Sequence, residues 1–161
     1  MIERVTIVGP ATRCFVRGPH HVVGSLAEMR AVLESMLGHA PHPVRMLDLL
    51  GHATRDLRVV RLGREAIDMF DPKVAQFFVR LAADRVLPRL GIRALRLLGC
   101  ATATTAAGQR TMQRLARVLG MPVYGTTKPL MKSHFATTGF HPAFERSCLV
   151  EASQLTARRF A

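Results

Sequence analysis

The stretch "RALRLLGCATATTAAGQR", residues 93–110, opens as an apolar run, meets Gly99-Cys100, and changes at once into alanines and threonines. A second stretch, "VRMLDLLGHATRD", residues 44–56, also runs apolar into a glycine but ends on His52. Short apolar runs bounded by glycine read as buried strands. Each of these strands delivers a residue capable of chemistry to its end, one a thiol and the other an imidazole. How the chain between and around them is organised decides whether the two meet.

Working outward, "RVTIVGP" (4–10) is a β-branched run closed by Gly-Pro and reads as the first strand. Residues 11–24, with Gly18, Pro19 and Gly24, read as a loop. "SLAEMRAVLESMLG" begins with Ser25, has Glu28 three residues later and ends at Gly38, a capping-box start with a glycine stop. Leu26, Met29, Leu33 and Met36 form its core-facing stripe. Residues 44–50 are the second strand, and 57–63 one arm of a short hairpin. Asp71 as cap and Pro72 at the first helical position open a second helix, with Pro88 and Gly91 ending it. Residues 92–99 are the third strand, 106–119 a third helix stopped by Gly120, and 121–127 the fourth strand. A long loop follows, then a last strand over 146–153 with Cys148 buried inside it.

Strands alternating with helices imply an α/β domain: a mostly parallel sheet of about five to six strands, helices on both faces, right-handed crossovers. A length of 161 residues suits one domain over 1–161, and 48% hydrophobic residues suit a packed core. No apolar run is long enough for a membrane span. "MIERVTIVG" lacks the layout of a signal peptide, and three cysteines without metal-ligand spacing make a disulfide framework or metal site unexpected. The expectation is a cytoplasmic protein with neither metal nor cofactor. The net charge of +12 leaves nucleic acid open as a partner. Against it stand the spread of the arginines along the chain, 6% aromatic content, and the lack of a phosphate loop in "GPATRCFVRG".

In parallel sheets functional residues gather at the carboxyl ends of the strands. His52 and Cys100 both belong there, so His52 is a candidate base for a Cys100 thiolate. The helix that begins near Ala106 adds a positive dipole end, with Thr104 or Thr105 as its cap, and the small residues between would let a substrate backbone approach. Asp48, four residues before His52, would pair with an arginine or steady the site. Cys14 and Cys148 are read as passive thiols.

"LDLLGHA" and "LRLLGCATA" resemble the histidine and cysteine segments of caspase-like cysteine peptidases, the caspase–hemoglobinase fold. Their separation of 48 residues is close to the ~50 of caspases. The continuation to "MPVYGTT" resembles bacterial CHAT-type domains most, and the likeness spans roughly residues 44–127. It implies a cysteine endopeptidase with a His52-Cys100 dyad and an oxyanion hole made by the backbone amides of Ala53 and Cys100. Ala53 stands where the family has glycine, and the caspase "QAC" flank is replaced by Leu98-Gly99. The resemblance also implies that loops after the first and fourth strands line the substrate pocket. These carry Arg13, Arg17, Lys128 and Lys132 and no acid, which points to an acidic or neutral residue before the cut. The partner implied is a protein or peptide substrate, with a regulatory protein as a further partner. The alternative readings are an inactive caspase-like interaction module and a basic α/β domain that binds nucleic acid or nucleotide.

Overall fold

Alternation along the apolar strands sets two different faces. In the computed structural model, which describes residues 3–38 and 43–155, β1 (Glu3–Val8), β2 (His21–Val22), β3 (Arg45–Leu50), β6 (Ile92–Leu98), β7 (Val123–Thr126) and β10 (Leu149–Glu151) form one sheet. Its order is β10-β7-β6-β3-β1-β2, with β10 antiparallel and the other strands parallel. Val5, Ile7, Leu47, Leu49, Leu95, Leu97 and Val123 point to one face. Val8, Leu50 and Leu98 point to the other. Two hairpins stand outside this sheet, β4 (Arg61–Leu62) with β5 (Glu65–Ala66) and β8 (Phe135–Ala136) with β9 (Gly139–Phe140).

The protein is thus α/β with a mixed, mostly parallel six-stranded sheet, but the two layers are unequal. The helices α1 (Leu26–Ser35), α2 (Pro72–Ala83), α3 (Val86–Arg89) and α4 (Ala106–Leu119) all bury their apolar residues in the cluster of the first face. Connection handedness explains this. From β2 to β3, β6 and β7 the chain moves across the sheet in one direction, and right-handed crossovers moving one way fall on one face. The step from β1 back to β2 runs the opposite way. Its connection, a 3-10 turn over Pro10–Phe15, puts Phe15 and Val16 on the other face. There the cover is loop, the β8–β9 hairpin and the single turn α5 (Glu145–Cys148), where long helices on both faces are the sequence expectation.

Local signals behave as their chemistry dictates. Ser25 accepts from the Glu28 amide, while the Glu28 carboxylate reaches back to the Gly24 amide rather than that of Ser25. Asp71 caps α2 through the Lys73 amide, and Gly120 closes α4 at φ 63°. The second helix stops earlier than Pro88: the chain breaks at Arg85, in the left-handed region, and Pro88 lies within α3. Cys148 is buried as expected, but at the end of α5 instead of inside the last strand.

The loop-covered face holds a buried ion cluster. Asp48 and Arg96 are register partners on β3 and β6 and are 0% and 1% exposed. Arg96 donates Nε to Asp48 Oδ1 at 2.6 Å and Nη2 to Oδ2 at 2.5 Å, a bidentate pair, and Nη1 to Glu145 at 2.9 Å. Burial opposes the guanidinium charge, yet the Asp48 and Glu145 carboxylates outweigh it and hold its pKa above the ordinary value. Arg4 also reaches Glu145, and donates to the Phe140 carbonyl. Replacing Arg96 by Met strands the Asp48 carboxylate, and the expected loss is about 3–5 kcal/mol. Urea unfolding of Arg96→Met and of Asp48→Leu/Arg96→Met checks this, with the double variant recovering most of the loss.

Candidate functional site

The register Leu50↔Leu98 puts the ends of β3 and β6 side by side and level. His52 and Cys100 each follow two residues beyond those leucines, so the sheet brings them to neighbouring strand ends on one edge. His52 is exposed and Cys100 partly exposed. Both glycines that precede them are at close approaches. A Cβ on Gly51 would lie 1.9 Å from the Arg61 carbonyl oxygen, and one on Gly99 would lie 3.0 Å from side-chain carbons of Val60 and Thr102. The repeated Leu-Leu-Gly therefore marks where β4 and the turn after β6 press against the sheet edge.

The alanines and threonines after Cys100 have a structural answer. Thr102 and Thr126 exchange bonds across the turn: the Thr102 amide donates to Thr126 Oγ1 at 3.0 Å, and the Thr126 amide to Thr102 Oγ1 at 2.8 Å. Thr126 also donates its hydroxyl to the Gly99 carbonyl, and the Ala103 amide donates to the Thr126 carbonyl at 2.8 Å. The Ala101 amide donates to the Lys128 carbonyl at 3.2 Å. Thr105, not Thr104, caps α4 through the Gly108 amide. A Cβ on Gly108 would lie 1.8 Å from the Thr102 carbonyl oxygen, so the small residues here let α4 pack onto the turn. That packing is a second use for small residues, beside the room for a substrate backbone that the sequence suggests.

Ala101 holds φ 57° although it has a side chain. The left-handed region costs a non-glycine residue roughly 1–2 kcal/mol, and such strain is concentrated at functional sites. Ala53 has no such strain: it bridges Val60 in antiparallel fashion, a backbone open to any residue. Alanine in place of glycine there therefore leaves its amide free to donate. Among the described residues neither the Ala53 amide nor the Cys100 amide has a hydrogen-bond acceptor.

A cleft of about 340 Å³ lies beside His52, walled by Gly9–Thr12 after β1 and by Arg61 and Gly63 of the β4–β5 hairpin. It sits where the connections from β1 and β3 leave in opposite directions, the usual ligand position in open α/β sheets. Cys100 does not line it. By strand order His52 stands between the cleft and the thiol. Larger hollows of about 520 and 720 Å³ follow the surface along α1 and α2, the first also lined by Arg64, Glu65 and Ala66 of the β4–β5 hairpin.

Of the substrate-pocket candidates, Arg13 and Arg17 lie in the loop after β1, with Lys128 and Lys132 in the segment after β7. All four are exposed, and none has a carboxylate partner among the described residues. The two loops meet through Phe15 and Phe135, edge to face at 6.1 Å, and through Gly18 against the Thr137 carbonyl. Lys128 is the cation tied by its backbone to the turn that carries Cys100. Asp48 is committed to Arg96, which removes it as a third member of the site.

Among the described residues no group of three or more His, Cys, Asp or Glu could hold a metal ion, and no helix is long and apolar enough to cross a membrane. No family model matches the chain, and no match was found among curated proteins or solved structures.

Sequence reasoning missed the Thr102–Thr126 pair. Its signal was the presence of buried threonines at two strand ends, which spacing alone does not connect. Thr126→Val leaves the Thr102 amide and the Gly99 carbonyl without a buried partner, and the expected loss is about 1–3 kcal/mol. Thermal unfolding measures it, and the alkylation rate of Cys100 should change in the same variant because Gly99 beside it and Thr102 two residues on both lose their bonds to Thr126.

Proposed function

We propose that the chain is a cysteine endopeptidase of caspase-like type, nearest to bacterial CHAT-type domains, using His52 and Cys100. The observation that carries this reading is the Leu50↔Leu98 register, which brings a histidine and a cysteine off neighbouring parallel strands at one level. The unbonded amides of Ala53 and Cys100 and the strained Ala101 beside the thiol also support it. In this mechanism the Cys100 thiolate attacks the scissile carbonyl carbon, and the two amides hold the oxygen as it gains negative charge. His52 gives a proton to the leaving amine as the C–N bond breaks. Water then adds to the thioester with His52 taking its proton, and the acid product leaves as the thiolate re-forms.

The substrate is a protein or peptide with an acidic or neutral residue before the cut, because the exposed Arg13, Arg17, Lys128 and Lys132 disfavour a cation in the pocket. Three free thiols fit a reducing, cytoplasmic setting. A second reading, an inactive caspase-like module that binds a regulatory partner, is favoured by the cleft whose wall includes His52 but not Cys100.

The exposed thiol of Cys14 will alkylate too, so labelling must be resolved peptide by peptide. Under the peptidase reading iodoacetamide modifies Cys100 faster than Cys14, and His52→Ala removes that advantage. Cleavage of a tetrapeptide library falls by more than about 10⁴-fold in Cys100→Ala. Slow Cys100 labelling with no cleavage in the wild type selects the inactive module.

A further inference from the structure

The exposed face of α4 is basic along its length. Arg110, Arg114 and Arg117 project from it at helical spacing, and Ala106–Leu119 contains no carboxylate. Elsewhere the partly buried arginines Arg4, Arg30 and Arg45 and the buried Arg96 are ion-paired. Among the described residues Arg110, Arg114 and Arg117 have no carboxylate within ion-pair distance. Phe70 lies against this stripe, half exposed at 50%. The guanidinium carbons of Arg110 and Arg114 are 5.5 and 5.4 Å from its ring centre.

The platform is held in place from below. The Met69 amide donates to the buried Thr111 hydroxyl of α4, which fixes the turn carrying Phe70. The two acids that flank Phe70 in sequence are turned onto the backbone: Asp68 accepts from the Phe70 amide at 3.0 Å and Asp71 from the Lys73 amide at 2.8 Å. Thr105, the cap of α4, donates to the Leu57 carbonyl at 2.6 Å, so exposed Leu57 and then Arg58 continue the surface past the helix start.

We propose that this surface binds single-stranded nucleic acid. A half-exposed aromatic ring with two guanidinium groups over it, neither with a carboxylate partner among the described residues, offers a base planar groups to stack on, and the arginines offer its phosphates charge. A membrane suits it poorly, because the apolar face of α4 is spent in the core and leaves little to insert. None of its residues is His52, Cys100 or a wall of the cleft beside His52, so this inference stands whether or not the chain cleaves peptides.

The test is fluorescence anisotropy with a labelled 20-nucleotide single strand, titrated at several salt concentrations. Wild type should bind, with affinity falling as salt rises. Arg110→Glu/Arg114→Glu should weaken binding at least tenfold and flatten the salt dependence. Phe70→Ala should weaken it about five- to a hundredfold with the slope unchanged. Arg89→Glu/Arg93→Glu, an equal charge change on exposed residues at the amino end of β6, should lose much less. Circular dichroism confirms that each variant is folded. No binding at low salt, an equal loss in the Arg89/Arg93 variant, or equally tight binding of an acidic peptide of matched charge would overturn the proposal.

Discussion

A guanidinium with 1% of its surface exposed has to be answered on every side, and Arg96 is. Taking a charge out of water costs several kcal/mol even after relaxation, and only good geometry repays it. Asp48 meets two of its donors from β3, Glu145 meets a third from α5, and the Phe140 ring lies 5.4 Å from its carbon. Because Arg4 on β1 also reaches Glu145 and the Phe140 carbonyl, three adjacent strands are tied to one segment of the loop cover. The C-terminal third of the chain is seated on the sheet by charge as much as by apolar contact.

That constraint fits the asymmetry of the layers. On the helix face α1 to α4 supply a continuous apolar wall, and every fully buried leucine there contributes roughly 1.5–3 kcal/mol. The opposite face receives only loop, the β8–β9 hairpin and one helical turn, with a smaller cluster around Phe135 and Phe140. A cover so thin in regular structure is located by specific contacts, and the ion cluster and the aromatic pairs of Phe135 with Phe15 and Phe140 are those contacts. The same loops bound the sheet edge from which His52 and Cys100 emerge.

The strand ends are correspondingly rigid. Thr102 and Thr126 lock the turn after Cys100 to the end of β7, and the Ala53–Val60 bridge locks the segment after His52 to the chain entering β4. The thiol and the imidazole are therefore carried on backbone held by hydrogen bonds from both sides, while the amides of Ala53 and Cys100 have no acceptor among the described residues. Rigid support under exposed reactive groups is the arrangement a functional constellation requires.

The sequence by itself determined the β–α alternation, the caps at Ser25, Asp71 and Gly120, a threonine cap at Thr104 or Thr105, and the arrival of His52 and Cys100 at strand ends, because these rest on periodicity and local chemistry. It also suggested an arginine for Asp48. Tertiary structure alone decided that the arginine is Arg96, that strand β2 exists within a stretch read as loop, and that the long helices share one face. It also decided that Thr102 fastens the turn after Cys100 to Thr126. Strand order and register pair residues dozens of positions apart, and nothing local in the chain encodes which strand lies next to which. The direction of each crossover, and with it the face each helix covers, follows only once that order is settled.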